Sequence, residues 1–179
     1  MRLATGTRQD SQDAAALAPP AWLARAPFRR AALVALALSA GGVVAAPSTF
    51  GPVIGSAILC RSHLDNAYFY QYLTTSFGPS YKHEGGAYWF KADGTLWGAP
   101  VTDIIVSDDT SELVFVGAVT ETTPDKLEEA IRGAVGVRHP PKDLSRFPVR
   151  ESSPGSKIVY FNSKSKIYCA KYKPLPPGR

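Results

Sequence analysis

Apolar positions along this chain come in three arrangements: one unbroken run, stripes at helical spacing, and short runs set apart by turn residues. The unbroken run comes first. Ala31-Ala32-Leu33-Val34-Ala35-Leu36-Ala37-Leu38 follows on Arg25, Arg29 and Arg30 and leads to Val43, Val44, Ala45 and Ala46. A basic stretch, an apolar core of about 7–15 residues and small residues at the cut make a secretory signal. The pattern predicts a signal over 25–46, cut after Ala45 or Ala46, behind a flexible extension over 1–24. No charge occurs over 31–59, so an uncleaved membrane anchor is the alternative, since a span needs roughly 20 apolar residues. Pro47, Gly51, Pro52 and Gly55 interrupt that length and favour cleavage. Leu59, the residue before Cys60, is too large for a lipid-attachment site. On either reading the chain beyond residue 46 lies outside the cytosol.

Helical spacing appears twice. Ser56 is placed to cap a helix over 57–76, where Leu59, His63, Ala67 and Tyr70 form one stripe beside Cys60, Leu64 and Tyr68. Gly78-Pro79 ends it. The aromatic group Tyr68, Phe69, Tyr70 and Tyr72 reads as core and rim. The second helix has the sharper start. Thr123 stands at the N-cap, Pro124 follows, and Asp125 and Glu128 lie in the first turns. Leu127, Ala130, Ile131 and Ala134 give one apolar face, and Gly133 or Gly136 ends the helix.

The remaining runs read as strands. Asp93-Gly94 stands between apolar runs at 87–92 and 95–97, a strong hairpin signal. A third strand follows at 101–106, a turn at 107–111 and a fourth strand at 112–119. That fourth run is almost continuously apolar, which predicts a central strand covered on both faces. The stretch 138–155, rich in Pro, Ser and Arg, reads as a surface connection. A last hairpin spans 157–172, and the Pro-rich tail at 174–179 reads as disordered. The expectation is one α+β domain over 47–173. Two helices pack on a largely antiparallel sheet of five to six strands, in the order helix, three or four strands, helix, hairpin.

The composition suits a globular protein: 179 residues, 45% hydrophobic and 20% charged. Of direct consequence are the two cysteines, Cys60 and Cys169. Outside the cytosol two such thiols in a small domain pair. Closing so long a loop is worth at most about 4.7 kcal/mol by chain entropy. There is no Cys-x-x-Cys spacing for redox catalysis.

Charge is divided unevenly. Residues 47–129 hold four basic and eleven acidic side chains, whereas 130–179 hold eleven basic and two acidic ones. Such asymmetry can orient an encounter with an anionic partner. The last hairpin interleaves Lys157, Lys164, Lys166, Lys171 and Lys173 with Tyr160, Tyr168 and Tyr172, a candidate binding patch. Strand alternation yields the same pattern unaided, with aromatics inward and lysines guarding an edge, and this plainer reading is preferred. An envelope protein or an anionic polymer fits the charge. Nucleic acid is disfavoured, and membrane contact follows only from an uncleaved leader.

Catalytic signatures are sparse. His63, His83 and His139 stand in no metal-ligand spacing, and no HExxH, P-loop or GxSxG sequence occurs, so no metal or cofactor is expected. His83-Glu84 lies in a glycine-flanked loop as a weak acid–base candidate. Trp89 and Trp97 read as buried rather than as ligand-stacking. Three functions remain open. The first is an exported, non-enzymatic binding module for a protein or anionic polymer. The second is a small hydrolase-type enzyme in which two of His63, His83, Asp103 and Asp108 converge. The third is a membrane-tethered accessory protein.

Overall fold

The computed structural model describes residues 45–173. The extension, the signal up to residue 44 and the Pro-rich tail fall outside these residues. The described residues fold as α+β, with one antiparallel sheet of seven strands and three helices. The strands are β1 (Lys82–Glu84), β2 (Ala87–Leu96), β3 (Ala99–Ser107), β4 (Leu113–Thr120), β5 (Arg150–Glu151), β6 (Lys157–Phe161) and β7 (Lys164–Tyr172). Their spatial order is β1-β2-β3-β4-β7-β6-β5, so the apolar run of β4 is central, as expected. Five to six strands were expected. The excess comes from β1 and β5, edge pieces of three and two residues with no apolar alternation to reveal them.

The helices are α1 (Ser56–Ile58), α2 (Asn66–Phe77) and α3 (Pro124–Val135). The expected single helix over 57–76 is broken. A π-helical turn, Gly51–Gly55, runs into α1; the chain then turns at Cys60, whose φ is 58°. Helix α2 starts afresh at Asp65, whose backbone is extended and whose carboxylate accepts the Tyr68 N–H at 3.0 Å. Ser56 therefore lies inside a helical run instead of capping one. Helix α3 keeps its predicted place, with Gly136 left-handed at its C-terminus (φ 71°), although the Thr123 side chain makes no capping bond.

The first hairpin is also displaced. Strand β2 passes straight through Asp93-Gly94, where the pairing with β3 slips by a bulge, and turns at Trp97-Gly98 (φ 54° and 82°). Gly94 is needed for another reason. A Cβ there would come within 2.8 Å of the Ala46 Cβ and 3.3 Å of the Phe50 ring. The Ala46 N–H donates to the Asp93 carbonyl at 3.2 Å, so the N-terminal segment lies against the bulge.

One main core joins all three helices to one face of the sheet. It contains Ile54, Ile58, Phe69, Leu73, Leu127 and Ile131 from the helical side. Phe90, Ile104, Val106, Val116, Ile158 and Ile167 meet them from the strands. Tyr70 seals its edge against Tyr88 at 4.6 Å between ring centroids. The Cys60–Cys169 disulfide crosses this layer, with Cα atoms 5.3 Å apart, and pins the turn after α1 to β7. The second face of β4 was expected to be covered as well. Among the described residues no helix lies on it; Ala87, Ile105 and Val119 form a small separate cluster there with Trp89, Phe115 and Phe161.

Candidate functional site

The uncovered face is organised by strand register. Across β1, β2, β3, β4, β7 and β6 one row reads Lys82, Trp89, Ile105, Gly117, Tyr168, Lys157. On one side lies the row Lys91, Asp103, Val119, Lys166, Val159; on the other, Phe115 faces Ala170. Gly117 is small of necessity. A Cβ there would sit 2.9 Å from the Tyr168 Cβ and 3.0 Å from the Ile167 carbonyl oxygen. Its missing side chain, with Ala87 and Ala170 nearby, hollows the face into a groove of about 430 Å³. Trp89, Ile105, Phe115, Tyr168 and Lys166 wall it, and Glu84 stands at one end.

Lysines frame this groove. The Lys166 ammonium lies 4.5 Å from the Phe161 ring centroid and 5.2 Å from that of Trp89. Lys82 sits 5.0 Å from the same indole. Burial pulls the Lys166 pKa below its ordinary value, and the neighbouring Lys82 charge adds to that. Lys82 has Glu84 as a partner, and Lys164 has Glu121. Lys166 makes no ion pair among the described residues. The Trp89 Nε1 is a buried donor without an acceptor among them.

The lysine–tyrosine patch read from the last hairpin is divided by the pleat. Lys157, Lys164, Lys166, Tyr168 and Tyr172 fall on the uncovered face, and Tyr172 is strongly exposed. Tyr160 belongs to the helix-bearing side and packs on Phe147 at 4.9 Å. Lys171 pairs with Val114, which packs against the main core. Lys173 lies past the strand and donates to the Asp109 carbonyl at 2.8 Å. The groove's apolar walls, Ile105 and Phe115, were not singled out from sequence. The signal for Phe115 was the nearly continuous apolar character of 112–119, and for Ile105 the apolar run 104–106, which strands covered on one face do not require.

Of the four proposed acid–base residues, His83 and Asp108 converge. The His83 Nε2 lies 2.6 Å from Asp108 Oδ2, and the imidazole stacks on Tyr88 at 4.2 Å. The hydrogen bond from His83, aided by the Thr110 hydroxyl, holds the Asp108 pKa down at about 2. Asp108 Oδ1 also accepts from the Thr110 and Ser111 backbone N–H groups, so this carboxylate organises a loop. Asp103 lies elsewhere, in the uncovered face. Burial alone would raise its pKa, but hydrogen bonds from Lys91, Thr102 and Tyr81 hold it below the usual range. His63 is exposed and joins neither group. Glu84 pairs with Lys82 across β1, so His83 and Glu84 do not act as a pair.

His139 is the remaining histidine. It is fully buried, with Nε2 2.6 Å from the Ser156 hydroxyl, which in turn lies 2.9 Å from that of Ser152. Burial pushes its pKa down to about 4, with Glu128 pulling upward and Arg150 downward. Sealed from solvent, this Ser-His contact holds the 138–155 connection in place and offers no room to a substrate. Among the described residues no helix is long and apolar enough to cross a membrane. No known family model, curated protein or solved structure matches the chain.

Proposed function

We propose that the chain is an exported, non-enzymatic binding module that takes an anionic partner on the uncovered face of its sheet. One observation carries this reading: an apolar groove lies open on that face with two ammonium groups, Lys82 and Lys166, against Trp89. A large apolar concavity with few polar groups is the usual form of a ligand site. A half-buried cation, Lys166, without a carboxylate partner among the described residues favours a ligand that supplies negative charge. Apolar walls speak for a partner with an apolar part over a bare anionic polymer. Export rests on the leader and agrees with the closed disulfide, a bond typical of oxidising compartments.

The test has two arms. N-terminal sequencing of the product in its own host should begin near Ala46, in the extracytoplasmic fraction. A retained leader would turn the reading to a membrane-tethered protein, and a cytosolic, reduced product would end it. Purified protein should also bind the apolar anion 8-anilinonaphthalene-1-sulfonate saturably in its folded state, and Ala170→Trp, which fills the groove, should abolish this. Absence of saturable binding contradicts the reading.

A hydrolase-type function draws on the His83–Asp108 pair alone. Against it, both carboxylate oxygens are occupied, and His83 makes no hydrogen bond to a hydroxyl or thiol among the described residues.

A further inference from the structure

The open face, taken as the binding site, discriminates among anions more finely than charge alone; the choice of ligand class rests on that reading. Its cation and its apolar surface are segregated along the strand direction. Lys166 stands at one end, beside Phe161 and Trp89. From there β7 continues through Tyr168 to Ala170, opposite Gly117 and Phe115. At roughly 3.3 Å per residue, Lys166 to Ala170 spans about 13 Å. Glu84, already paired with Lys82, lines the groove opposite Ala87, away from Lys166. The hollow above Gly117 is narrow, because Ile105 and Tyr168 flank it in register. A slender chain fits such a trough, with one negative head.

We infer that the groove is a site for a fatty carboxylate, its head against Lys166 and its alkyl chain lying over Gly117 toward Phe115 and Ala170. The carboxylate would neutralise an ammonium that now sits among apolar rings and near the Lys82 charge. A charge-assisted hydrogen bond of this kind is among the stronger single contacts a ligand can make.

The test is calorimetric titration of the purified protein with octanoate, decanoate and dodecanoate below their micellar concentrations. Decanol and a decyltrimethylammonium salt serve as the neutral and cationic controls. Affinity should rise about two- to fourfold per methylene, as expected for chain burial. Decanoate should bind at least about tenfold more tightly than decanol, the loss of one charged hydrogen bond. The cation should not bind. Lys166→Gln should erase the advantage of decanoate over decanol, and Lys166→Arg should restore it. Ala170→Trp should weaken both ligands alike. Near-ultraviolet circular dichroism reports whether each variant is folded, and Lys166→Gln is a half-exposed change that leaves the core untouched.

If the arylsulfonate binds in the groove but dodecanoate does not displace it, the fatty-carboxylate assignment is wrong while the binding face stands. Failure of both ligands removes both. Carboxylate binding that Lys166→Gln and Ala170→Trp leave unchanged lies elsewhere and overturns the inference.

Discussion

His139 carries the clearest pH dependence at the level of single residues. It is held neutral in the interior, with a pKa near 4 against an ordinary value of 6.5. As pH falls below 6.5 the unfolded chain takes up this proton first, and the folded chain follows only near 4. The stability that comes from keeping His139 neutral is therefore complete above about 6.5 and lost as pH approaches about 4. Between pH 7 and pH 5 the loss is on the order of 2 kcal/mol. Urea unfolding at the two pH values should show it, and His139→Gln should remove most of the difference. An unchanged difference would mean that groups other than His139 dominate the response between pH 7 and pH 5. Asp108 acts at lower pH. Its depressed pKa stabilises the fold above the ordinary carboxylate range, and that contribution fades as pH falls toward 2.

At the level of elements, caps and turns decide what was readable. Helix α3 was legible because Thr123, Pro124 and Gly136 punctuate it and Leu127 and Ile131 keep one face. Strands β3, β4 and the last hairpin were legible from their apolar runs. The first helix was not, because helical spacing continues across the break at Cys60, and nothing local shows that this residue must turn back to reach Cys169. Asp65 then supplies the cap that Ser56 does not. Asp65→Ala should lower stability by about 1 kcal/mol, whereas Ser56→Ala should change it by less than about 0.5 kcal/mol. Thermal or urea unfolding of the two variants distinguishes the broken arrangement from one continuous helix. Asp93-Gly94 misled because glycine serves two purposes in a strand. Here it admits Ala46 and Phe50, while Trp97 takes a left-handed turn position that its type rarely occupies. The groove was illegible for a related reason: it is made by Gly117 and Ala170, residues whose importance is the absence of bulk.

For the whole molecule, the layering is what matters. Helices on one side of an antiparallel sheet leave the other side to solvent, where polar residues normally stand. Among the described residues Trp89, Phe115 and Tyr168 stand there half-buried around a buried Ile105, leaving a lightly covered apolar trough that a bound ligand would close. The disulfide belongs to the opposite layer, joining the turn after α1 to β7 over a separation of 109 residues. Its removal by Cys60→Ala with Cys169→Ala should cost about 2–5 kcal/mol in urea unfolding while leaving the uncovered face formed. Such a variant should still bind the arylsulfonate wherever it remains folded, which separates the staple from the site.

The binding face itself is tested most directly by mapping amide chemical shifts of the folded protein during titration with 8-anilinonaphthalene-1-sulfonate. Saturable shifts are expected at Ile105, Phe115, Gly117, Lys166 and Ala170 and at the Trp89 indole, with α2 and α3 unmoved. Shifts centred on those helices or on the His83–Asp108 loop, or none at saturating ligand, would contradict a site on this face.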